Sequence, residues 1–191
     1  GDVRLGGGEL TGAGDLTVNG QLTWTAGRMS GAGRTVANGG ILLDNSGYPE
    51  LMGRTLENPA TMIWIDNGND FRAGNGAVLN NTGTIDIQMD TSAQVWGSGG
   101  ATLNNTGTIR KSGGTGTSSI PMFVHNTGTL EVQTGKLRLM DGGSTSTSLQ
   151  VDAAAAVWFD GGTFSLDVNN NVAGDVRLGG GELTGAGDLT V

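Results

Sequence analysis

Of the side chains that could do chemistry, histidine is the scarcest. His125 is the only one, so neither a histidine metal cluster nor a Ser-His-Asp set with a spare can be built. It stands just before an Asn-Thr-Gly corner and reads as a solvent-facing corner residue. Asp66, Asn67, Asn69 and Asp70 offer oxygen ligands of the kind Ca²⁺ takes. They lack the spacing and terminal Glu of an EF-hand, and an Asx-rich turn explains them with less. The expectation is no cofactor, with calcium at these four residues the one metal candidate. Tryptophans at 24, 64, 96 and 158 would form a sugar-stacking platform if they faced solvent, but their apolar neighbours favour core or corner filling. Asp86, Asp90, Asp160 and Asp167 could in principle pair for glycoside cleavage, yet nothing in their spacing selects a pair. A lyase would add a basic residue beside an acidic calcium cluster, and Arg72 near Asp66 and Asp70 is the only approach to that. The glycine-rich GAG and GGG segments precede no helix, so a phosphate cradle fails on context. No catalytic residue is expected.

What must position these residues is a repeat. The stretch GDVRLGGGELTGAGDLTV occurs at residues 1 to 18 and again, without a difference, at 174 to 191, an offset of 173. Such a fixed long period marks tandem-repeat architecture. The chain therefore reads as one full unit, residues 1–173, followed by the start of the next identical unit at 174–191. The seam between units is marked by Gly1 and Val18 at the ends of one copy and by Gly174 and Val191 at the ends of the other. Identity of sequence further implies that both copies occupy the same environment.

A shorter period lies inside the long one. GAG triplets start at Gly12 and Gly31, LNNTGTI starts at Leu79 and again at Leu103, and HNTGTL follows from His125. The spacing is about 19–24 residues, the size of one supersecondary unit in a solenoid. Apolar residues alternate at period 2 within each unit, as in Leu22 and Trp24, Ile85 and Ile87, or Leu137 and Leu139, which is the strand signature. Asn-Gly and Gly-Gly steps, such as Asn19-Gly20, Asn38-Gly39, Asn67-Gly68, Asn75-Gly76 and Gly142-Gly143, are read as corners that need positive φ. With 37 glycines among 191 residues helices are excluded, and 36% hydrophobic residues exclude a disordered linker.

A hairpin sandwich gives no reason to repeat a corner sequence at such a spacing, whereas stacked coils do. The expected fold is all-β: a parallel β-helix, or β-solenoid, of about eight coils of about 19–24 residues per 173-residue period. In such a stack Asn81, Asn105 and Asn126 form a side-chain ladder, with Thr82-Gly83, Thr106-Gly107 and Thr127-Gly128 as the corners beside them. Residues 44–72 hold Pro49, Pro59 and the only tyrosine, and are expected to form an irregular, loop-bearing coil.

Asp and Glu total 18 against 10 Lys and Arg, which weighs against nucleic acid or an anionic membrane as partner. No apolar run is long enough to insert in a membrane. Cysteine is absent, which excludes disulfides and thiolate metal sites.

The pattern G-x-L-T-G-x-G-x-L-T-V-N-G-x-L-x-W-T-x-G-x-M-S-G from Gly8 to Gly31, with N-T-G-T-L-x-V-x-T-G-x-L-x-L from Asn126 to Leu139, resembles the β-helical repeats of very large bacterial surface and secreted proteins, the adhesin and autotransporter-passenger class. The resemblance implies a bacterial, extracellular or cell-surface location and a role as stalk, fibre or adhesin. The resulting expectation is a non-enzymatic structural repeat unit stacked end to end on neighbouring copies of itself, with surface glycans as a second class of partner. The alternative is a carbohydrate-binding or polysaccharide-cleaving β-helix.

Overall fold

Alternating short apolar segments divided by glycine corners bury one face of each strand, and here they do so by winding. The computed structural model describes residues 1–191, and they wind into a β-solenoid of about nine turns with no helix. Every strand pairing is parallel, each strand lying on its counterpart one coil away. No helix is long and apolar enough to cross a membrane.

Each coil has three faces. Face 1 takes Ile41–Asp44, Thr61–Ile65, Thr84–Ile87, Thr108–Lys111, Thr129–Val132 and Gln150–Val151. Face 2 takes Pro49–Met52, Phe71–Gly74 and Ala93–Val95, then Thr117–Ile120, Gly135–Leu139, Ala155–Phe159 and Asp175–Leu178. Face 3 is a nine-stranded sheet running from Leu16–Val18 to Glu182–Thr184. The first two coils turn from face 1 to face 2 without a break, within Val3–Leu10 and Leu22–Ser30.

Alternation sends every second residue inward, and the register stacks those residues in columns. On face 1 Leu22, Ile41, Met62, Ile85, Ile109 and Leu130 lie one above the next, all buried. On face 3 Leu56, Leu79, Leu103 and Val124 do the same. The columns meet in a single core of 36 buried residues. Trp24 and Trp64 belong to it, each edge-on to Phe71 with ring centroids 5.8 and 5.4 Å away.

Within residues 44–72 most of the chain is regular strand, and the longer irregular stretches are the corners at 45–48 and 66–70. Pro49 opens the strand Pro49–Met52 while Pro59 sits at an exposed corner. Proline is tolerated at the first residue of a strand, so here it marks corners and not a bulge. The glycine expectation also needs correction. Gly68, Gly76 and Gly142 have positive φ, but Gly20 and Gly39 do not. At Gly39 a Cβ would overlap the carbonyl oxygen of Gly20 one coil below, so contact between coils, not dihedral freedom, demands the glycine.

Candidate functional site

The most ordered polar feature is a column of buried side chains at the end of face 3. Asn58, Asn81, Asn105 and Asn126 each close a strand, and all are at most 1% exposed. The Nδ2 of Asn58 donates to Oδ1 of Asn81, Asn81 to Asn105, and Asn105 to Asn126, each at 2.6 Å. Asn126 then donates to the hydroxyls of Thr145 and Thr147 at 2.9 and 3.0 Å. The amides all point one way, so the chain of dipoles has a free acceptor at its start: Oδ1 of Asn58 is buried without a partner. In the same register Leu166 follows Thr145, and Val18 pairs with Ala37 nearer the other end. The polar column is thus confined to the middle coils.

The backbone beside the column is equally regular. The carbonyl of Asn58 accepts from the N–H groups of Thr82 and Gly83, that of Asn81 from Thr106 and Gly107, and that of Asn105 from Thr127 and Gly128, at 2.8 to 3.1 Å. A Cβ on Gly83, Gly107 or Gly128 would fall on a carbonyl oxygen of the coil below, respectively that of Ala60, Gly83 and Gly107. The three threonines are exposed. Outside the sheet a second line of side chains runs parallel to the first. Asn104 donates to Asn80 at 2.9 Å and Asn80 to Glu57 at 3.1 Å. His125 continues this outer line, exposed, 3.3 Å from the Ser144 hydroxyl.

Two cations are buried. Arg54 is 1% exposed and donates to Thr35 Oγ1 and to the carbonyls of Gly12, Gly14, Ser30 and Arg34 at 2.8 to 3.3 Å. It fills the corner made by the stacked GAG segments and ties three coils together; burial pushes its proton affinity down while the Asp15 charge opposes that. Sequence reading misses it. The shared Gly-Arg-Thr at 33–35 and 53–55 aligns Arg54 with Arg34, but the register pairs Arg34 with Thr55, and a slip of one residue turns Arg54 inward. Lys111 replaces an apolar residue in the column between Ile87 and Val132. Its ammonium reaches Gly113 O, Ser118 Oγ and Asp90 Oδ1 at 2.7, 3.0 and 3.1 Å. Burial lowers its pKa, and the hydrogen bond to Asp90 offsets part of that shift.

The corner between faces 1 and 2 changes from coil to coil. The register stacks Leu5, Trp24, Leu43, Trp64 and Ile87 before the corner, and Glu9, Arg28, Glu50, Arg72 and Gln94 after it. The chain crosses from one row to the other in four residues in the first two coils, then in seven, eight and seven. The later coils therefore overhang the earlier ones. The step leaves an open groove of about 360 Å³ lined by Gly8, Glu9, Gly27, Arg28, Tyr48, Glu50 and Arg72. Glu50 is held between Arg28 and Arg72 at 2.8 and 3.0 Å. Burial opposes ionisation of Glu50, but the hydrogen bonds from the two guanidinium groups outweigh it and keep the carboxyl below its usual range. The Arg72 guanidinium lies between two rings, 3.9 Å from the Tyr48 centroid and 4.3 Å from that of Trp96. Both rings are exposed, 45% and 43%.

The other residues of interest are dispersed. Asp66 accepts from the N–H groups of Gly68 and Ser92, Asn67 donates to Asp44, Asn69 to the Ser46 carbonyl, and Asp70 accepts from Gln94. Each is thus engaged in a turn or with a neighbouring coil. No three acidic or histidine side chains converge as metal ligands anywhere in the molecule. Asp86 is bound by Arg110, Gln88 and Ser112, Asp160 by Arg138 and Asp167 by Ser165, and Asp90 by Lys111 and the Gly116 N–H. Trp158 stands on face 2 between Lys136 and Arg177, at 5.0 and 4.3 Å.

The two identical copies share a plan but not a setting. The first copy makes two strands, Val3–Leu10 and Leu16–Val18, and the second makes three, Asp175–Leu178, Glu182–Thr184 and Leu189–Thr190; Gly12 and its counterpart Gly185 have similar φ, 105° and 117°, whereas Gly8 has a φ of 72° and its counterpart Gly181 has no positive φ. In the first copy, from Gly1 to Val18, residues 3–5 lie on face 1 and Leu16–Val18 on face 3. In the second, from Gly174 to Val191, Asp175–Leu178 lies on face 2, Glu182–Thr184 on face 3, and Leu189–Thr190 beyond it beside Asn170–Asn171. The expectation of one shared environment is corrected. Val3 opens a face 1 strand, whereas its counterpart Val176 lies eight coils later on face 2. The long period is therefore eight coils plus one face, and the second copy is turned by a third of a coil.

Set against known proteins, the chain matches no family model, no curated protein and no solved structure.

Proposed function

We propose that this chain is a non-enzymatic structural unit of a long secreted or cell-surface fibre of the bacterial adhesin kind, continued end to end by further copies of itself. The observation that supports the reading most is the 173-residue recurrence laid on a parallel stack. The same eighteen residues form a coil at both positions, and the second copy, from Gly174 to Val191, pairs its strands with the coil before it as the middle coils pair with theirs. A parallel stack of this kind extends coil by coil, each new coil pairing the backbone of the last. Asp15, Glu50 and Asp86, the carboxyls whose proton affinity is displaced, are all displaced downward by arginine partners on a neighbouring coil, which makes them ion-pair ties between coils. Each period carries a net charge of about −6, which keeps neighbouring fibres apart.

The test is the length of engineered arrays. Proteins of one, two and three periods, measured by small-angle scattering and electron microscopy, are expected to be single rods growing by about 40 Å per period, from coils spaced about 4.8 Å apart. Flexibly jointed beads, or two periods packed side by side, would sink the reading.

A further inference from the structure

We propose that the stepped groove between faces 1 and 2 is a binding subsite for one or two residues of an uncharged saccharide, with Tyr48 as its stacking wall. At about 360 Å³ the groove falls within the range of small-ligand sites. Its lining is what a sugar ring needs: one aromatic surface for the C–H face and planar polar groups for the hydroxyls. Two carboxylates, Glu9 and Glu50, and two guanidinium groups, Arg28 and Arg72, balance in charge, so the lining favours neither an anion nor a cation. Carboxylate and guanidinium offer paired acceptors and paired donors, the geometry that engages neighbouring hydroxyls.

The site is also built in advance. Arg72 holds one face of Tyr48, and Glu50 holds both Arg28 and Arg72, so little side-chain freedom remains to be lost on binding. Ser30 fixes Glu9 by a hydrogen bond of 2.6 Å. The floor is open because Gly8 and Gly27 carry no side chains; at Gly27 a Cβ would strike the Gly7 and Gly8 backbone, whereas at Gly8 it would meet nothing within 4 Å and would project into free space.

The whole 191-residue chain is titrated with maltose, cellobiose, lactose, mannobiose and diacetylchitobiose, followed by saturation-transfer NMR and calorimetry, alongside a digalacturonate and a sulfated disaccharide. At least one neutral probe is expected to bind with a millimolar Kd that changes little between low and high salt. Tyr48→Ala removes the wall and Gly8→Asn fills the floor with a residue that accepts positive φ. Each is expected to weaken binding at least about tenfold while the urea midpoint stays put, and Trp158→Ala, on a distant part of face 2, is expected to leave binding unchanged. Failure of every neutral probe, binding confined to the charged probes with strong salt dependence, or binding that survives either groove variant would overturn the proposal.

Discussion

Two corners of the same coil follow opposite rules. After face 3 the corner repeats almost atom for atom: Asn81, Asn105 and Asn126 pass the same 2.6 Å hydrogen bonds, and the next coil's Thr and Gly N–H groups meet the same carbonyl. Between faces 1 and 2 the crossing lengthens from four residues to eight within four coils, and the side chains there are exposed rings and ion pairs. A stack of coils needs one corner that fixes the vertical register, since a slip of one residue turns every inward side chain out. Once one corner does that, another is free to vary. The invariant corner specifies the fold and the variable corner gives the surface its individuality.

The sharpest way to break this contrast is to put a methyl group at each corner. Gly107→Ala drives a Cβ onto the Gly83 carbonyl oxygen and is expected to cost more than about 3 kcal/mol, read as a large drop in the urea midpoint. Gly68→Ala, at a variable-corner glycine with φ of 102° and open space around it, should cost only about 1–2 kcal/mol of backbone strain. Equal losses would mean that both corners hold the register.

Next in size is the column itself. Asn105→Leu leaves the Asn126 Oδ1 acceptor buried without a partner, takes from Asn81 Nδ2 its shortest bond with the Thr108 carbonyl at 3.0 Å still in reach, and about 3 kcal/mol is expected to be lost. Asn58→Leu disturbs one neighbour fewer, because its own Oδ1 has none to lose, and its midpoint should fall by roughly half as much. A smaller effect is expected at Lys111. Replacement by Met removes a buried charge whose partner Asp90 can turn to water, so stability at pH 7 should change by no more than about 1 kcal/mol. Because burial lowers the Lys111 pKa in the fold, the native state gains stability as pH rises from that lowered value toward the unfolded one near about 10.4, and Lys111→Met should flatten this alkaline rise.

The smallest change expected is acid-dependent. Glu50 and Asp86 have folded pKa values held below their unfolded ones, so their contribution is complete above about pH 4–5 and is lost as pH falls through the folded values. Glu50→Gln should lower the neutral plateau by the small contribution that the wild type loses in acid, so that the two stability profiles converge as pH falls. An unchanged acid limb would show that the ion pairs of the variable corner contribute nothing to folding.

The sequence made the coil length, the parallel stacking and the inward columns legible, because period-2 alternation and the recurrence of Asn-Thr-Gly both report backbone geometry directly. Asn58 belongs to the same column but stands in Glu57-Asn58-Pro59, outside the recurring motif, and the proline beside it is a loop signal. Arg54 was hidden by a one-residue offset, which passes for a simple Gly-Arg-Thr repeat until the pairing of Arg34 with Thr55 is known. The groove was illegible for a further reason: it arises from the difference in corner length between adjacent coils, and only side-by-side placement reveals a difference. Trp24 and Trp64 fill the core, Trp96 is exposed and Trp158 is half-buried, and local parity does not divide them so.

The extra face in each period has a consequence for valency. In a continuous array every period would be turned by a third of a coil from the last, so the grooves would climb the fibre as a three-step spiral staircase, one per roughly 40 Å of rise. A flat target would meet only every third groove. A flexible polymer winding round the fibre could engage them in succession, each contact raising the effective concentration for the next, and individually feeble sites would then grip such a strand firmly.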